Sequence, residues 1–319
     1  MNDKILITGA TGFIGSHLVK KLVKDNKNII AIDNNFRGKF SRLNEVIEYI
    51  EYYEVDIRDK EKLLKIARNC KSIIHLAYIN GTDNFYKQPQ DILDVAMRGI
   101  LNIFDVCKEN SISELFIASS SEVFHKPTII PTNENVPLVI PDINNPRFSY
   151  GGGKILYELM GKHFGKDILD RLVLFRPFNV YGFDMGMGHV IPQLIDRAIK
   201  SDLKNKKIDF KIQGDGNQTR AFEYIDDFID GLEIILNKGI DREIYNIGND
   251  EEVTIKELVL KIFRLINSEI EVNIIPSELP KGGTDRRCPD ISKLKNLGYN
   301  PKINLDEGLK KILSLNNFN

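Results

Sequence analysis

The sequence predicts an α/β protein built on a doubly wound parallel sheet. Short apolar segments rich in β-branched residues alternate with amphipathic helical segments over residues 4–175. The first apolar segment, residues 4–7, runs directly into a turn at residues 8–15 that contains three glycines. A second apolar segment, residues 28–32, ends in the acid Asp33. This alternation is typical of parallel strands with helices on both faces of the sheet.

The glycine turn has the pattern of a phosphate-binding turn in a dinucleotide site. Gly9 would allow the tight turn, Gly12 would let the backbone approach a pyrophosphate, and Gly15 would let helix and strand pack closely. The helix predicted from Ser16 would direct free N–H groups and a positive dipole end at the phosphates. The turn residues expected to contact the dinucleotide are Gly9, Gly12, Phe13, Ile14 and Gly15.

The second strand indicates which dinucleotide is bound. Asp33 follows the turn by about 20 residues, where an acid can bind the ribose hydroxyls of NAD. Arg37 lies nearby and could bind the 2′-phosphate of NADP, but the carboxylate would repel that group. NAD is therefore the predicted cofactor. Further cofactor contacts are expected at the ends of neighbouring strands, at Asn34, Asp56, Ile57, Leu76 and Ala77.

The remaining elements of the sheet domain follow in order. Strands are predicted at residues 50–55, 72–77, 114–118 and 171–175, and helices at residues 43–47, 61–68, 91–108 and 153–164. Residues 126–147 contain five prolines and few helix formers, which predicts a long ordered loop over the site. Ligands of such sheets lie beyond the carboxyl ends of the strands.

Beyond Gly182 the regular alternation ends, which predicts a smaller, mixed α/β substrate lobe. Thr254 is the expected N-cap of one lobe helix, with Glu257 at the capping-box position. Helices are predicted at residues 191–200, 226–236, 254–266, 291–296 and 306–313, and strands at 210–212 and 243–247. We expect the sheet domain to span residues 1–178 and the lobe 179–319, with residues of about 215–248 interleaved into the sheet domain.

Composition argues against several classes of protein. Lysine and arginine number 44 against 45 aspartates and glutamates, so neither nucleic acid nor an anionic membrane is a predicted partner. No apolar run is long enough to cross a bilayer, and the early first strand predicts no secretory signal. The scattered cysteines Cys70, Cys107 and Cys288 are expected to be free thiols in a reducing cytoplasm. The five histidines show no metal-site spacing, so no metal is predicted.

Tyr150 and Lys154 are four residues apart, on one face of a predicted helix. A tyrosine with its usual pKa of about 10 is a poor base at neutral pH. A lysine ammonium one turn away and a positive nicotinamide ring would favour the phenolate. The phenolate could then accept a proton from a sugar hydroxyl while hydride leaves the same carbon for NAD. We therefore predict that these two residues are catalytic.

Taken together, these motifs resemble the extended short-chain dehydrogenase/reductase family, which includes NAD-dependent nucleotide-sugar epimerases and dehydratases. The motifs are residues 8–15, Asp33, residues 119–122, Tyr150 with Lys154, residues 176–182 and 218–222, and Arg287 with Asp290. The resemblance implies a Rossmann sheet, a tightly held NAD that is reduced and reoxidised within one turnover, and a nucleoside-diphosphate sugar as substrate. It also implies a homodimer formed through the helices at 91–108 and 153–164.

The resemblance further implies roles for single residues. Ser120 would hydrogen-bond the hydroxyl being oxidised, and Asn179 would contact the sugar or its first phosphate. Arg220 and Arg287 would bind the diphosphate by charge-assisted hydrogen bonds. Ser121 and Val190 are further expected substrate contacts.

Glu122 bears on the subtype of reaction. It resembles the glutamate of 4,6-dehydratases and UDP-glucuronate decarboxylases, and 4,6-dehydration is the leading prediction, with Glu122 removing the C5 proton. Epimerisation at C4 and decarboxylation remain open, as does a cap role for Glu122. A non-catalytic NAD-binding module is the alternative of another class, and the presence of both Tyr150 and Lys154 argues against it.

Two departures from the family pattern stand out. Ala96 occupies a position where the family usually has asparagine, which puts a proton relay there in question. Residues 151–153 are three consecutive glycines at the start of the predicted helix. Because each helical glycine costs about 1 kcal/mol relative to alanine, we expect a close approach to the backbone there, by the substrate.

Overall fold

A seven-stranded sheet forms the centre of the computed structural model, which describes residues 3–278 and 282–315. The strands are β1 Lys4–Thr8, β2 Ile29–Asp33, β3 Ile50–Glu54, β4 Cys70–His75, β5 Glu114–Ala118, β6 Arg171–Pro177, β7 Val180–Tyr181, β8 Lys207–Gln213, β9 Thr219–Ala221, β10 Glu223–Tyr224, β11 Ile244–Ile247, β12 Glu252–Thr254, β13 Glu271–Ser277 and β14 Arg286–Arg287. The helices are α1 Phe13–Lys24, α2 Lys60–Ile66, α3 Thr82–Lys87, α4 Pro89–Asp94, α5 Ile100–Glu109, α6 Phe148–His163, α7 Val190–Ile199, α8 Ile225–Lys238, α9 Ile255–Ile266, α10 Ser292–Lys295 and α11 Leu305–Leu315.

The main sheet is parallel throughout, in the order β3-β2-β1-β4-β5-β6-β11. Its inner strands are buried on both faces, as in β2, where every residue is buried, whereas the edge strand β3 has no buried residue. Adjacent residues of a strand therefore enter different cores: Leu6 packs into one hydrophobic cluster with Ile103 of α5, and Ile7 into another with Phe228 of α8. Helices cover both faces, so the predicted doubly wound α/β class is confirmed.

The last strand of the main sheet comes from the second half of the chain. β11 pairs in parallel with β6, with Tyr245 opposite Phe175 and Ile247 opposite Pro177. β11 lies within residues 215–248, the segment that we expected to be interleaved into the sheet domain. The chain between β6 and β11 therefore leaves the sheet, builds part of the lobe and returns.

The lobe contains more strands than the sequence predicted. β8 and β13 form a parallel pair, and β9 pairs with both β12 and β14. Several of these strands are two or three residues long, too short to show a periodicity. The predicted helix at 43–47 was wrong, because residues 40–43 and 47–49 form separate 3₁₀ turns. The predicted helix at 91–108 is instead α4 and α5, joined by a π-helical turn at Val95–Gly99.

The proline-rich loop at residues 126–147 is hydrogen-bonded both to the main sheet and to the segment between β14 and α10. The Thr132 N–H donates to the Cys288 carbonyl (2.9 Å), and the Asp290 N–H donates to the Thr132 carbonyl (2.9 Å). The side-chain amide of Asn246, in β11, also donates to the Thr132 carbonyl (2.8 Å). These contacts position the loop beside the carboxyl ends of β5 and β6.

The described residues can also be compared with the expectations for membrane spans, metal sites, cysteines and the α9 cap. None of their helices is long and apolar enough to cross a membrane. Within the same residues, no group of three or more histidine, cysteine, aspartate or glutamate side chains is arranged to hold a metal ion. Cys70, Cys107 and Cys288 are all buried and unpaired. The predicted capping box between Thr254 and Glu257 is present at the start of α9.

Candidate active site

One cleft of about 540 Å³ lies at the carboxyl ends of the central strands. The glycine turn forms one wall, and the loop before α7 together with the β9–β14 pair forms the other. Every residue predicted from the sequence to contact cofactor or substrate lines it: Gly9, Gly12, Phe13, Ile14, Gly15, Asp33, Asn34, Asp56, Ile57, Leu76, Ala77, Ser120, Ser121, Glu122, Tyr150, Lys154, Asn179, Val190, Arg220 and Arg287. The structure thus brings these residues together, while their individual roles stay predictions.

The glycine turn leaves the start of α1 open to an anion. Gly9 has a φ of +71°, and a Cβ on Gly15 would overlap the Gly9 carbonyl oxygen. Helix α1 begins at Phe13 with Gly12 as its N-cap, and no acidic side chain lies in its first turn. Backbone N–H groups and the positive helix end therefore face the cleft, which fits a dinucleotide diphosphate.

Asp33 and its neighbours form the end of the cleft predicted to hold the adenosine. The Asp33 carboxylate accepts hydrogen bonds from the N–H groups of Thr11 (3.0 Å) and Asn35 (2.8 Å), which fix its orientation. The Asn34 amide donates to Asp56 (2.9 Å). This carboxylate at the end of β2 fits the ribose hydroxyls of NAD better than a 2′-phosphate.

Arg37, which was considered above as a ligand for the 2′-phosphate of NADP, lies among the loops of the central cleft. Its guanidinium lies beside Gly81 and Gly188, in the loops that precede α3 and α7. Its charge also acts on Tyr150 and on His189, opposing the effect of burial on the Tyr150 pKa. Arg37 therefore adds a positive charge to the central cleft.

Tyr150 and Lys154 lie in the first turns of α6, and both are buried. Tyr150 stacks on Phe85 with ring centroids 4.8 Å apart and hydrogen-bonds Ser120. The Lys154 ammonium donates to the Ala118 carbonyl at the end of β5 (2.7 Å). A rigid helix thus holds both side chains against the ends of β4 and β5.

Burial acts against the charged forms of both Tyr150 and Lys154. Burial raises the pKa of Tyr150 to about 12, although the Ser120 hydrogen bond acts in the opposite direction. Burial lowers the pKa of Lys154 to about 7, with Glu158 opposing that shift. In the protein by itself, the apolar surroundings disfavour the charged form of both groups, so the predicted phenolate depends on the nicotinamide ring as well as on Lys154.

Glu122 is held as a carboxylate by two arginines. Arg287 donates to one carboxylate oxygen (2.8 Å), and Arg147 lies 3.8 Å from the other. Burial would raise the pKa of Glu122, but the charge and hydrogen bond of Arg287 and the charge of Arg147 outweigh it and lower this pKa to about 2. At neutral pH Glu122 is therefore ionised and a weak base.

Arg220 and Arg287 lie side by side on β9 and β14, in register with each other. Arg220 donates to the carbonyls of Thr219 (2.6 Å) and Thr284 (2.7 Å), and burial lowers its pKa to about 10. Asn179 has a φ of +39°, and its amide donates to the Ala221 carbonyl (2.9 Å). The short strands of the lobe thus direct two guanidiniums and an amide at the cleft.

The comparisons with known proteins identify the family. The family model described as NAD dependent epimerase/dehydratase matches residues 5–248. The chain belongs to this family. The resemblance stated from the sequence is thereby confirmed, and the family's dependence on NAD agrees with the predicted cofactor and with the open start of α1.

The names of similar proteins describe more than one enzymatic activity. UDP-glucuronic acid decarboxylase 1 of Danio rerio is 32% identical over 313 residues, which cover 97% of this chain and 72% of that protein. A putative UDP-glucose 4-epimerase of Methanocaldococcus jannaschii is 33% identical over 317 residues, covering 97% of each chain. The UDP-glucose 4-epimerase structure from Thermotoga maritima, solved with UDP-glucose, superposes with a TM-score of 0.86 at 26% identity, covering 98% of this chain and 97% of that one.

Other groups of the protein lie close to two of the three consecutive glycines, Gly151 and Gly153. A Cβ on Gly153 would overlap the Tyr78 hydroxyl, and one on Gly151 would lie 3.1 Å from the Glu122 carbonyl oxygen. Gly152 faces Ile140 of the proline-rich loop. The predicted close approach to this backbone is present at Gly151 and Gly153, and there it is made by protein groups rather than by the substrate.

Sequence reasoning missed several residues of the cleft. Arg147, Tyr78 and Phe85 all line it, although no motif named them. Arg147 ends the proline-rich loop, and Phe85 lies in the short helix α3. The one available signal was position, since Tyr78 comes two residues after Leu76, at the predicted end of β4.

Proposed function

We propose that this protein is a nucleotide-sugar decarboxylase that acts on a UDP-linked uronic acid. The sugar is oxidised at C4, which makes its C6 carboxylate part of a β-keto acid. The C5–C6 bond then breaks, CO2 leaves with the carboxyl carbon, and the bonding electrons move toward the C4 carbonyl. A proton is added at C5, and the C4 carbonyl is reduced again. NAD, when bound, accepts the hydride and later returns it.

The ion pair between Glu122 and Arg287 carries this proposal. A 4,6-dehydratase needs a base for the C5 proton, and a carboxylate with a pKa of about 2 is a weak one. Decarboxylation needs no base at C5, because the bond to the carboxyl carbon supplies the electrons. The ion pair therefore favours decarboxylation over 4,6-dehydration, which was the leading prediction from sequence.

The remaining residues of the cleft have consistent roles in this proposal. Tyr150 accepts the proton of the C4 hydroxyl, with Ser120 hydrogen-bonded beside it. Arg220, with its neighbour Arg287, faces the diphosphate of the substrate. Because the pKa of Tyr150 is high, a positive charge beside it is needed to favour its phenolate. The nicotinamide ring, when bound, would supply that charge.

Epimerisation at C4 is the second candidate function. It is supported by the name of the Methanocaldococcus jannaschii relative and by the Thermotoga maritima structure. An epimerase must turn the oxidised sugar over between the two hydride transfers, and it needs no acid or base at Glu122. The two candidates share the first oxidation and differ in the fate of the carbonyl sugar.

A product assay separates these functions. Purified protein is incubated with NAD and, separately, UDP-glucuronate, UDP-glucose, dTDP-glucose and GDP-mannose, and the products are followed by NMR. We expect CO2 and a UDP-pentose from UDP-glucuronate. A 4-keto-6-deoxy sugar, seen by its alkaline absorbance, or inversion at C4 without CO2 would contradict decarboxylation. No turnover of any sugar would instead support the non-catalytic NAD-binding module.

We further propose a homodimer formed through α4, α5 and α6. Four large apolar side chains on these helices and on the π-helical turn between α4 and α5 are 42–55% exposed: Leu93, Met97, Leu101 and Leu159. Because these elements pack against one another, the exposed side chains favour an interaction surface there.

The dimer makes a testable prediction. Met97→Glu is expected to convert a dimer of the 36.5 kDa chain into a monomer, because a carboxylate cannot be buried there without a partner. Sedimentation velocity measures the mass. Ile240→Glu is the matched control, because Ile240 is 61% exposed and lies between α8 and β11, outside these helices. The Ile240→Glu protein should remain a dimer. A wild-type monomer at micromolar concentration would contradict the proposed dimer.

We also propose the cytoplasm as the location of the protein. Its three cysteines are free and buried, and burial raises the pKa of the Cys70 and Cys288 thiols to about 12. Thiols of this kind are unreactive and are typical of proteins that work in a reducing compartment.

A further inference from the structure

The Lys154 ammonium lies over the face of Tyr78. Its nitrogen is 4.0 Å from the centroid of the Tyr78 ring, compared with 4.6 Å for Tyr157 and 6.0 Å for Tyr150. The Tyr78 ring also packs edge-to-face on Tyr150 (5.1 Å) and on Tyr157 (5.3 Å). Tyr78 is thus the aromatic ring in closest contact with the lysine and also touches the tyrosine of the pair.

No carboxylate within the described residues forms an ion pair with Lys154. Glu158, on the same helix, raises the pKa of Lys154 through its charge, but both of its oxygens bind Arg176 and one also accepts from Ser119. His75, below the lysine, is bound to Thr8 and Tyr157, and burial lowers its pKa to about 3. The ammonium is therefore held by the Ala118 carbonyl and by aromatic ring faces.

The hydroxyl of Tyr78 does not account for its position. Its oxygen is buried and has no hydrogen-bond partner within residues 3–278 and 282–315. It lies over Gly153, where the Cβ of any other residue would overlap it. Burying a hydroxyl without a partner costs free energy, so the favourable contact of this residue is made by its ring.

We propose that Tyr78 is a positioning residue whose ring face holds the Lys154 ammonium between the Ala118 carbonyl and Tyr150. The proposal rests on the proposed function only in assuming that Tyr150 and Lys154 act together on the substrate. A ring quadrupole stabilises a cation most strongly where water is excluded, as it is around Lys154. Tyr78 therefore keeps the lysine charged in a site whose burial favours the neutral amine.

Two substitutions at Tyr78 separate the ring from its hydroxyl. Tyr78→Leu keeps an apolar side chain over Lys154 but removes the ring face, so the Lys154 pKa should fall by about one unit. Tyr78→Phe keeps the ring and removes only the hydroxyl, so the Lys154 pKa should stay within roughly 0.3 units of wild type. The holoenzyme labelled with ¹³C at lysine Cε reports this pKa by NMR titration, with Lys154→Arg assigning the signal.

Turnover supplies a second measurement on the same variants. A lower Lys154 pKa should move the alkaline limb of the kcat profile to lower pH in Tyr78→Leu, and Tyr78→Phe should restore the wild-type profile. Phe85→Leu is the matched control, because Phe85 stacks on Tyr150, and no contact between it and Lys154 is seen among the described residues. Its NMR titration should leave the lysine signal in place.

The Lys154 pKa of the Tyr78 variants tests the positioning role separately from the product assay. An unchanged or higher Lys154 pKa in Tyr78→Leu overturns the positioning role, as does an equal shift in Tyr78→Phe. The NMR titration needs no substrate, so it decides this proposal even when the product is not a pentose. Bound NAD and the melting temperature of each variant show whether it has folded.

Discussion

Tyr150→Phe is expected to lower kcat by about 1,000-fold while bound NAD is retained. The substitution removes only the group that accepts the sugar proton, and positioned acid–base groups contribute roughly 10²–10⁴-fold to rates. The phenyl ring can still stack on Phe85, so the walls of the cleft should stay in place. The measurement is kcat on the nucleotide sugar identified by the product assay, with NAD quantified after denaturation.

Tyr245→Phe provides the control for this substitution. The Tyr245 hydroxyl accepts a hydrogen bond from the Ile240 N–H (3.1 Å) at the edge of the sheet, outside the cleft. Tyr245→Phe should leave kcat within about twofold, because the lost hydroxyl is not part of the cleft and its hydrogen bond contributes only about 1 kcal/mol to stability. A Tyr150→Phe enzyme with near-normal kcat would refute the acid–base role of this tyrosine.

Arg176→Met is expected to reduce the free energy of unfolding by about 3–5 kcal/mol, the cost of leaving a buried charge without its partner. Arg176 donates to both oxygens of Glu158 (2.8 and 2.6 Å), and both side chains are less than 5% exposed. The guanidinium also donates to the Glu134 carbonyl (3.0 Å) and lies over the Phe124 ring. Guanidinium chloride denaturation measures the change.

Two further variants test the cause of this loss. Arg176→Met combined with Glu158→Leu removes both charges, so part of the lost stability should return. Lys295→Met breaks an exposed pair with Asp250 (2.6 Å), whose partners are 42% and 44% exposed, and should cost less than about 1 kcal/mol. If Arg176→Met were as mild as Lys295→Met, the buried pair would not contribute as described.

Much of the sheet domain could be predicted because its signals are local. The turn from Gly9 to Gly15 and the acid Asp33 follow their strands directly, and both lie where the pattern indicated. Tyr150 and Lys154 share a helix, so their spacing alone placed them on one face. Parallel strands buried on both faces give continuous apolar runs, which made β1, β2 and β5 easy to recognise.

The electrostatics of the site could not be predicted, because they depend on residues far apart in the chain. Glu122 and Arg287 are separated by 165 positions, and the pattern suggested a base for one and a diphosphate ligand for the other. Tyr78 reaches Lys154 from the loop between β4 and α3, and the burial that governs the Tyr150 pKa arises from tertiary packing. Short strands such as β14 are fixed by their neighbours rather than by their own sequence.

The pairing of β11 with β6 affects how the molecule is made. During synthesis, β6 leaves the ribosome well before Ile244–Ile247, and until then its outer backbone groups have no strand beside them. An uncovered edge of this kind can pair with another nascent chain. The main sheet is therefore completed only when most of the polypeptide has been translated.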